Sequence, residues 1–475
     1  YYDFTLKHYN KEVFIVEKKL KTLTALLLCI LCIFSACGKG EVRLPPQESK
    51  KPEESRAANG TNGSAKESNT STEMKGEISI SCLLEQEFLT AAAKQFMDNY
   101  PDVTVTINAY KKTLEPGSVE DYQTYLNTKI MTGKAEDIFF ISFLPVTKYS
   151  EMGVFEDLSK YILMTPEMND ENYFMNVLQA AKEESGETYI IPYMARFNVL
   201  GFSDTLLKNQ TEIENKLKAL KSAEFSECMS QSRHLVDSTD KKNAFLIQMN
   251  EVSYATYLIK DSLSQFIDVK NKKANIDTTA YIDLLKSIKE LSDGNYFGSG
   301  IDFYNMEYYF AATMDFDVQA AFYSLDEKAG IAYCMPLSER QGNIAISANA
   351  CLAVNSASAH KDLAWEFIKY LLSEEVQSLP SIHGLAVNRQ GFEAAVERYY
   401  SYYSDSKKGN GKVDKAAYGQ LLKNWMEQIN DCDTMDSAIW SLIEEENGKF
   451  FSDMQTAEDT AKRLQMKINQ YFNEE

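Results

Sequence analysis

Phe88 to Val105 reads Phe-Leu-Thr-Ala-Ala-Ala-Lys-Gln-Phe-Met-Asp-Asn-Tyr-Pro-Asp-Val-Thr-Val. Phe88, Ala92, Phe96 and Tyr100 recur at every fourth position, the spacing of one buried helix face. Pro101 lacks an N–H and clashes with the preceding turn, so the helix must stop there. Val103, Val105 and Ile107 then alternate, which predicts a half-buried strand. Upstream, Ile78-Ser79-Ile80-Ser81 reads as a short strand. Downstream, Ser118 with Asp121 has the spacing of a capping box, opening a helix that runs through Ile130 and closes at Gly133. Ile138 to Ile141 is an apolar run that fits a fully buried strand. This β-α-β-α-β order predicts an α/β body with a mostly parallel sheet covered by helices.

Ahead of this body the sequence reads as an address and a tether. Lys18-Lys19-Leu20-Lys21 is basic, and Thr22 to Phe34 carries no charge. Such a run is shorter than the roughly 20 residues that span a bilayer and suits the apolar region of a secretory signal. It leads through Phe34-Ser35-Ala36 directly to Cys37, and this resembles a bacterial lipoprotein signal. The resemblance implies that residues 1–36 are removed and that Cys37 becomes the lipid anchor. Residues 1–15, which precede the signal proper, are expected to be an extension without a role in the fold. Residues 37–76 are expected to be the anchor and a disordered tether. From Gly38 to Gly76 there is no aromatic residue, and Gly, Ser, Thr, Asn, Pro and charged residues dominate. That composition cannot bury enough surface to offset its ordering entropy, and as a coil it reaches about 35 Å.

The chain has 475 residues with 44% apolar and 25% charged side chains, which is ordinary globular composition and enough for two or three domains. With 49 basic and 69 acidic residues the net charge is −20. The tether is nearly neutral, so the acidity belongs to the body, which would repel a phosphate backbone. Four histidines (His8, His234, His360 and His383) stand at no metal-ligand spacing, and no His-Glu-x-x-His, Gly-x-Ser-x-Gly or Walker-type loop occurs. Asp293-Gly294-Asn295 opens like a calcium loop but has Phe297 and Tyr304 at ligand positions. No cofactor is expected. Beyond Cys29, Cys32 and Cys37, five cysteines remain (Cys82, Cys228, Cys334, Cys351 and Cys432), an odd number expected to be mostly buried as small apolar residues. Carboxylates are plentiful, but Glu374-Glu375 and Glu444-Glu445-Glu446 sit in helical, charged surroundings that suit solvated faces better than acid/base pairs.

Further along, Thr278 to Leu291 carries Ile282, Leu285 and Ile288 on one helical face, and Ala350 to Val354 reads as a strand. Ala364, Phe367, Ile368, Leu371 and Leu372 make a wide apolar helix face, on which Trp365 is expected to pack in the core. The last helix opens at Thr456 with Asp459 as its box partner and buries Ala457, Ala461, Leu464, Ile468 and Tyr471. Tyr304, Tyr308, Tyr309 and Phe310 suit core packing better than an aromatic platform, and Tyr399 to Tyr403 suit a surface helix or a partner face.

Several landmarks resemble the family 1 extracellular solute-binding proteins, and they occur in that family's order. Phe88–Val105 is similar to its first helix and second strand. Gly133-Lys134-Ala135-Glu136-Asp137-Ile138 resembles its Gly-x-x-Pro-Asp-Ile segment, with Glu136 in place of Pro. Gly153-Val154-Phe155-Glu156-Asp157-Leu158 follows suit, and Ile191-Pro192-Tyr193 resembles the first crossing between lobes. Ala364-Trp365-Glu366-Phe367-Ile368-Lys369-Tyr370-Leu371 with Ser373-Glu374-Glu375-Val376-Gln377, then Gly384-Leu385-Ala386-Val387-Asn388-Arg389, is the nearest match. The resemblance implies two discontinuous α/β lobes with a ligand cleft between them, as in the periplasmic-binding-protein fold. Lobe one is expected at 77–193 and 335–373, and lobe two at 194–334 and 374–475.

The resemblance also implies a function: a monomeric, non-enzymatic, membrane-anchored lipoprotein on the outer face of the bacterial cytoplasmic membrane. It would capture a mono- or oligosaccharide and deliver it to the permease subunits of an ABC importer. A surface lipoprotein that binds glycan or protein without a transporter is the alternative, and a secreted glycoside hydrolase a more distant one. Ligands in such folds lie beyond the carboxyl ends of the parallel strands, so Ser142 and Phe143 are expected at the cleft. Maltodextrin-binding members place a tryptophan and a charged residue near that loop. Here Ile141 and Leu144 stand in those places, which turns the expectation away from a maltose-like ligand. Arg196 stands four residues after Pro192, where such members carry an acidic contact. In lobe two Asn250, Glu251 and Tyr254 follow the strand-like Phe245-Leu246-Ile247 and offer hydrogen bonds and a stacking face. Packing of Phe143, a hinge salt bridge from Arg196 and a helix-covering Tyr254 are the bland alternatives.

Overall fold

The computed structural model describes residues 74–203 except 116, residues 223–224 and 246–247, and residues 250–473 except 262, 270, 295, 299–310, 315–316, 327–328, 330, 339–342, 406–411 and 435. The expected signal, Cys37, most of the tether, Cys228 and the Tyr304–Phe310 cluster lie outside the described residues.

In chain order the first half holds β1 (Gly76–Leu84), α1 (Glu87–Asn99), β2 (Val103–Lys111), α2 (Ser118–Met131), β3 (Ile138–Phe140), β4 (Ile191–Pro192), β5 (Met194–Ala195), β6 (Val199–Ser203), β7 (Ala223–Glu224) and β8 (Leu246–Ile247). Next come α3 (Glu251–Asp261), β9 (Ile267–Asp268), β10 (Lys273–Ala274), α4 (Thr279–Asp293), β11 (Phe297–Gly298), β12 (Ala311–Met314), α5 (Asp317–Leu325) and β13 (Ile331–Ser338). The last part holds β14 (Ile344–Ser347), β15 (Cys351–Val354), α6 (Lys361–Leu371), β16 (Leu385–Ala386), α7 (Arg389–Ser404), α8 (Lys415–Met426), β17 (Ile429–Asp433), α9 (Ser437–Phe451) and α10 (Ala457–Asn473).

Two main sheets organise these elements. The first has the order β2-β1-β3-β15-β4. β1 runs parallel to β2 and β3, while β15 is antiparallel to both β3 and β4. Four strands therefore share one direction, as the β-α-β-α-β pattern predicts, and β15 alone is reversed. The second sheet has the order β11-β8-β12-β6-β13-β7. The chain leaves the first sheet after β4, returns at β15 and leaves again after α6. The crossing segments pair with one another: β5 with β16 antiparallel, and β14 with β17 parallel. Gln377, 1% exposed, ties two crossings together. Its Nε2 donates to the Tyr193 and Leu371 carbonyls, both at 2.9 Å, and its Oε1 accepts the Val387 N–H at 3.1 Å.

Local chemistry explains most element boundaries. Phe88, Ala92 and Phe96 are buried on α1, and Tyr100 is its C-cap immediately before Pro101. At the end of α2, Gly133 takes φ 64°, the left-handed conformation that costs glycine least. The Gly133 N–H reaches the Ile130 carbonyl at 3.1 Å and the Lys134 N–H the Lys129 carbonyl at 2.8 Å, the paired bonds of a Schellman ending. The start of α2 corrects the expected capping box. Gly117 is the N-cap at φ 83°, and Ser118 lies inside the helix, its hydroxyl accepting the Glu115 N–H at 3.0 Å. The left-handed turn supplied by Gly117 moves the helix start by one residue and leaves Asp121 without a capping partner. At Thr456 the cap half of the expected box forms, with the Asp459 N–H donating to Thr456 Oγ1 at 3.0 Å. Trp365 is buried, its Nε1 donating to Thr165 Oγ1 at 3.2 Å. Tyr399, Tyr400 and Tyr403 pack on the core, and of the four tyrosines only Tyr402 stands out at 71% exposed. Cys82, Cys351 and Cys432 are buried free thiols.

The helices on the second sheet's side have a core of their own, in which α3 and α4 pack with α9 and α10. Two buried polar residues of α9 hold it. Asn447 accepts the Tyr281 hydroxyl at 2.8 Å. Glu446, 1% exposed, meets Lys449 at 2.8 Å, Lys467 at 2.7 Å and Gln455 Nε2 at 3.0 Å. Burial alone would raise the Glu446 pKa, but the three donors outweigh it and hold the carboxyl at about 2, below its usual 4.5. A depressed carboxylate pKa gives stability that is present above the unfolded value and lost as pH falls through the folded one. Glu446→Gln should therefore cost about 2 kcal/mol at pH 7, from charge-assisted bonds lost. Between pH 4.5 and about 2 the wild type should lose stability more steeply than the variant. Urea titrations across that range check this, and parallel curves would contradict it.

Candidate functional site

The turn after β3 sits at the carboxyl end of the parallel strands, where open α/β sheets place their ligands. Here the backbone leaves ordinary geometry: Ser142 has φ 29° and Phe143 φ 67°. A side chain with a Cβ resists this region by roughly 1–2 kcal/mol, so surrounding bonds must hold it there. Four do. The Phe143 N–H donates to Asn349 Oδ1 at 2.6 Å. The Phe143 carbonyl accepts from Gln123 Nε2 at 2.6 Å and from the Ser437 hydroxyl at 2.9 Å. Gln123 Nε2 also reaches Ser437 Oγ at 3.2 Å. Phe143 remains 38% exposed, while neighbouring Ile141 and Leu144 are buried.

Asn349 belongs to a single 3-10 turn, Ala348–Ala350, between β14 and β15. The same turn positions Arg196. Ser347, which caps it through the Asn349 N–H, donates its own N–H to the Arg196 carbonyl at 2.9 Å. The Ile141 N–H reaches the Cys351 carbonyl, and the Tyr193 N–H reaches the Ala350 carbonyl. One short turn thus brings together the Ser142-Phe143 loop and the Arg196 crossing, which are distant in sequence. Arg196 is exposed, and its guanidinium makes no salt bridge with the described residues. Beneath it Tyr193 is buried, its ring stacked on Phe88 at 5.2 Å and 25° and tilted against Phe140 at 5.3 Å. Burial pushes the Tyr193 hydroxyl well above its ordinary range, opposed by the Arg196 charge. His383, just before β16, has its pKa lowered by burial and further by the Arg398 and Arg196 charges. Arg196 therefore sits where two crossings meet, directly after β5, which pairs with β16.

The three residues expected from the other side are placed differently. Asn250, exposed, accepts the Ser253 N–H at 2.9 Å and caps α3. Glu251 accepts the Ser292 hydroxyl of α4. Tyr254 is buried, edge-on to Phe297 of β11 at 5.7 Å. Their capping and packing roles are thus filled, and no described contact joins them to Phe143 or Arg196. Sequence reading missed Asn349, Gln123 and Ser437. Asn349 left a faint signal as a polar residue in a short turn before a buried strand, while Gln123 and Ser437 are ordinary helix residues. No group of three or more His, Cys, Asp or Glu able to hold a metal occurs among the described residues.

Two sheets joined by paired crossings make a two-lobed body. The sequence profile of the bacterial extracellular solute-binding proteins matches residues 84–378, and the chain belongs to that family. The family is one of receptors, not of enzymes, and its members work outside the cytoplasm. Among solved structures, the sugar-binding protein MalE from the phytopathogen Xanthomonas citri is similar at 12% identity and a TM-score of 0.53, covering 84% of this chain and 98% of that one. A family 1 extracellular solute-binding protein from Alicyclobacillus acidocaldarius is similar at 12% identity and a TM-score of 0.50, with 84% and 98% covered. At such identities the likeness concerns the fold. A search of curated proteins gives no match.

Proposed function

We propose that this chain is a membrane-anchored receptor that captures a carbohydrate between its lobes and delivers it to the permeases of an ABC importer. The observation that carries the proposal is the junction itself. Phe143 is held in a left-handed turn with its ring exposed, and Arg196 is exposed a single 3-10 turn away. An aromatic face suits the apolar face of a sugar ring, and a guanidinium donates paired hydrogen bonds to its hydroxyls. The name of the Xanthomonas citri relative agrees with such a ligand. In this proposal Ser142, Phe143 and Arg196 form one wall of the cleft, and Asn250 with Glu251 and Tyr254 behind it the other. The lobes follow the expected bounds, 77–193 with 335–373 and 194–334 with 374–475, except that the boundary at 335 moves beyond Ser338, because β13 belongs to the second sheet as far as that residue. Cys37 holds the lipid, and the tether lifts the body about 35 Å from the surface. No covalent step is needed, because contacts made by both lobes exist only when they close and so shift that equilibrium.

A thermal-shift screen against neutral mono- and oligosaccharides and acidic sugars tests this. A cognate sugar at 100 times its dissociation constant should add about 2.7 kcal/mol of stability. Neutral oligosaccharides are expected to respond first and acidic sugars second. A silent panel, with response only to peptides or other solutes, would contradict the carbohydrate assignment.

A further inference from the structure

The bonds on the Phe143 peptide come from separate parts of the chain. Gln123 lies on α2, which covers the first sheet. Asn349 lies on the 3-10 turn between β14 and β15, next to the first sheet. Ser437 is the first residue of α9, whose buried face packs with α3, α4 and α10 in the core beside the second sheet. The Phe143 carbonyl is therefore the point where a donor from each side converges, and Gln123 and Ser437 also bond each other at 3.2 Å. A lobe separation of even an ångström or two removes the Ser437 bond, because hydrogen bonds weaken steeply beyond about 3.2 Å. The Asn349 bond involves no residue of α9 and is independent of that distance.

We propose that Asn349, Gln123 and Ser437 are the positioning residues of the Phe143 loop, and that Ser437 makes this positioning a latch between the lobes. Asn349 fixes the left-handed turn in every state. Gln123 waits on the first lobe with its amide aimed at the Phe143 carbonyl. Ser437 completes the set on closure, so the aromatic wall becomes rigid only when the cleft is shut. The ligand-free chain then samples the closed form, held by a bond that the solute does not supply. This inference rests on Phe143 lining the cleft, and its test needs no solute, so failure of the carbohydrate assignment leaves it standing or falling by itself.

The test is made on the full chain without ligand, by amide hydrogen exchange over the segment 141–146 and by small-angle scattering. In Asn349→Ala the Phe143 amide should exchange at least tenfold faster with an unchanged radius of gyration, and Asn349→Asp, which keeps the acceptor, should restore protection. In Ser437→Ala the radius of gyration should rise and exchange of 141–146 should increase several-fold, with Ser437→Thr recovering both. Melting temperatures within about a degree of wild type show that the variants are folded. An unchanged radius of gyration in Ser437→Ala, whether or not local exchange rises, would reduce Ser437 to a packing contact and overturn the latch. An unchanged Phe143 amide in Asn349→Ala would overturn the positioning role.

Discussion

Replacing Arg196 with alanine is expected to weaken saccharide binding by about 1.5–3 kcal/mol, a loss of about 10- to 150-fold in affinity. The side chain is exposed at the crossing, and its backbone is fixed by the Ser347 N–H at 2.9 Å. That bond survives substitution, so the melting temperature without ligand should barely change. A guanidinium offers its donors in a planar fork, and an ammonium does not, so Arg196→Lys should recover only part of the loss. The net charge of −20 opposes an anionic ligand at long range, but screening over about 8 Å at physiological salt makes this weak. Local donors, and not the overall field, should therefore decide affinity. Calorimetry on the three proteins checks it. Unchanged affinity in Arg196→Ala with a lowered melting temperature would mean that Arg196 is a structural hinge residue.

Substitution of Cys37 by serine should move the whole chain from the membrane to the soluble fraction. In the function proposed above the lipid is carried by Cys37, which follows the short apolar run Thr22–Phe34 and the small residues Ser35-Ala36. Each buried methylene of an acyl chain contributes about 0.8 kcal/mol to membrane affinity, so removing the attachment point removes the anchor entirely. Among the described residues no helix is long and apolar enough to cross a membrane. Fractionation of wild type and Cys37→Ser decides the matter. A variant that remains wholly membrane-bound would show that Thr22–Phe34 stays in place as the anchor.

Local pattern told most where a structural preference is strong and short-ranged. The first helix, its stop at Pro101, the alternating strand after it and the glycine ending at Gly133 all stand in the structure as the spacing predicts. The reversed β15 was not legible, because a run such as Ala350–Val354 carries no sign of its direction or of its neighbour in the sheet. The helix start at Ser118 was misread because Ser-x-x-Asp spacing is indifferent to whether a preceding glycine has already taken the left-handed turn. At the candidate site the sequence pointed to Phe143 and Arg196 through resemblance, but not to what holds them. Phe143 is gripped by residues 20, 206 and 294 positions away, and no periodicity encodes contacts of that range. For Asn250, Glu251 and Tyr254, proposed above as the other wall, the sequence did not show that they also cap a helix, bond a serine and meet an aromatic edge.

A cleft that shuts on its solute is tested most directly by small-angle scattering with and without the sugar that gives the largest thermal shift. Closure of two lobes about paired crossing strands should lower the radius of gyration measurably, and the Arg196→Ala protein should need a proportionately higher sugar concentration to reach the same compact form. A saturating ligand that leaves the radius of gyration of the wild type unchanged would contradict closure and mark the chain as a rigid surface binder.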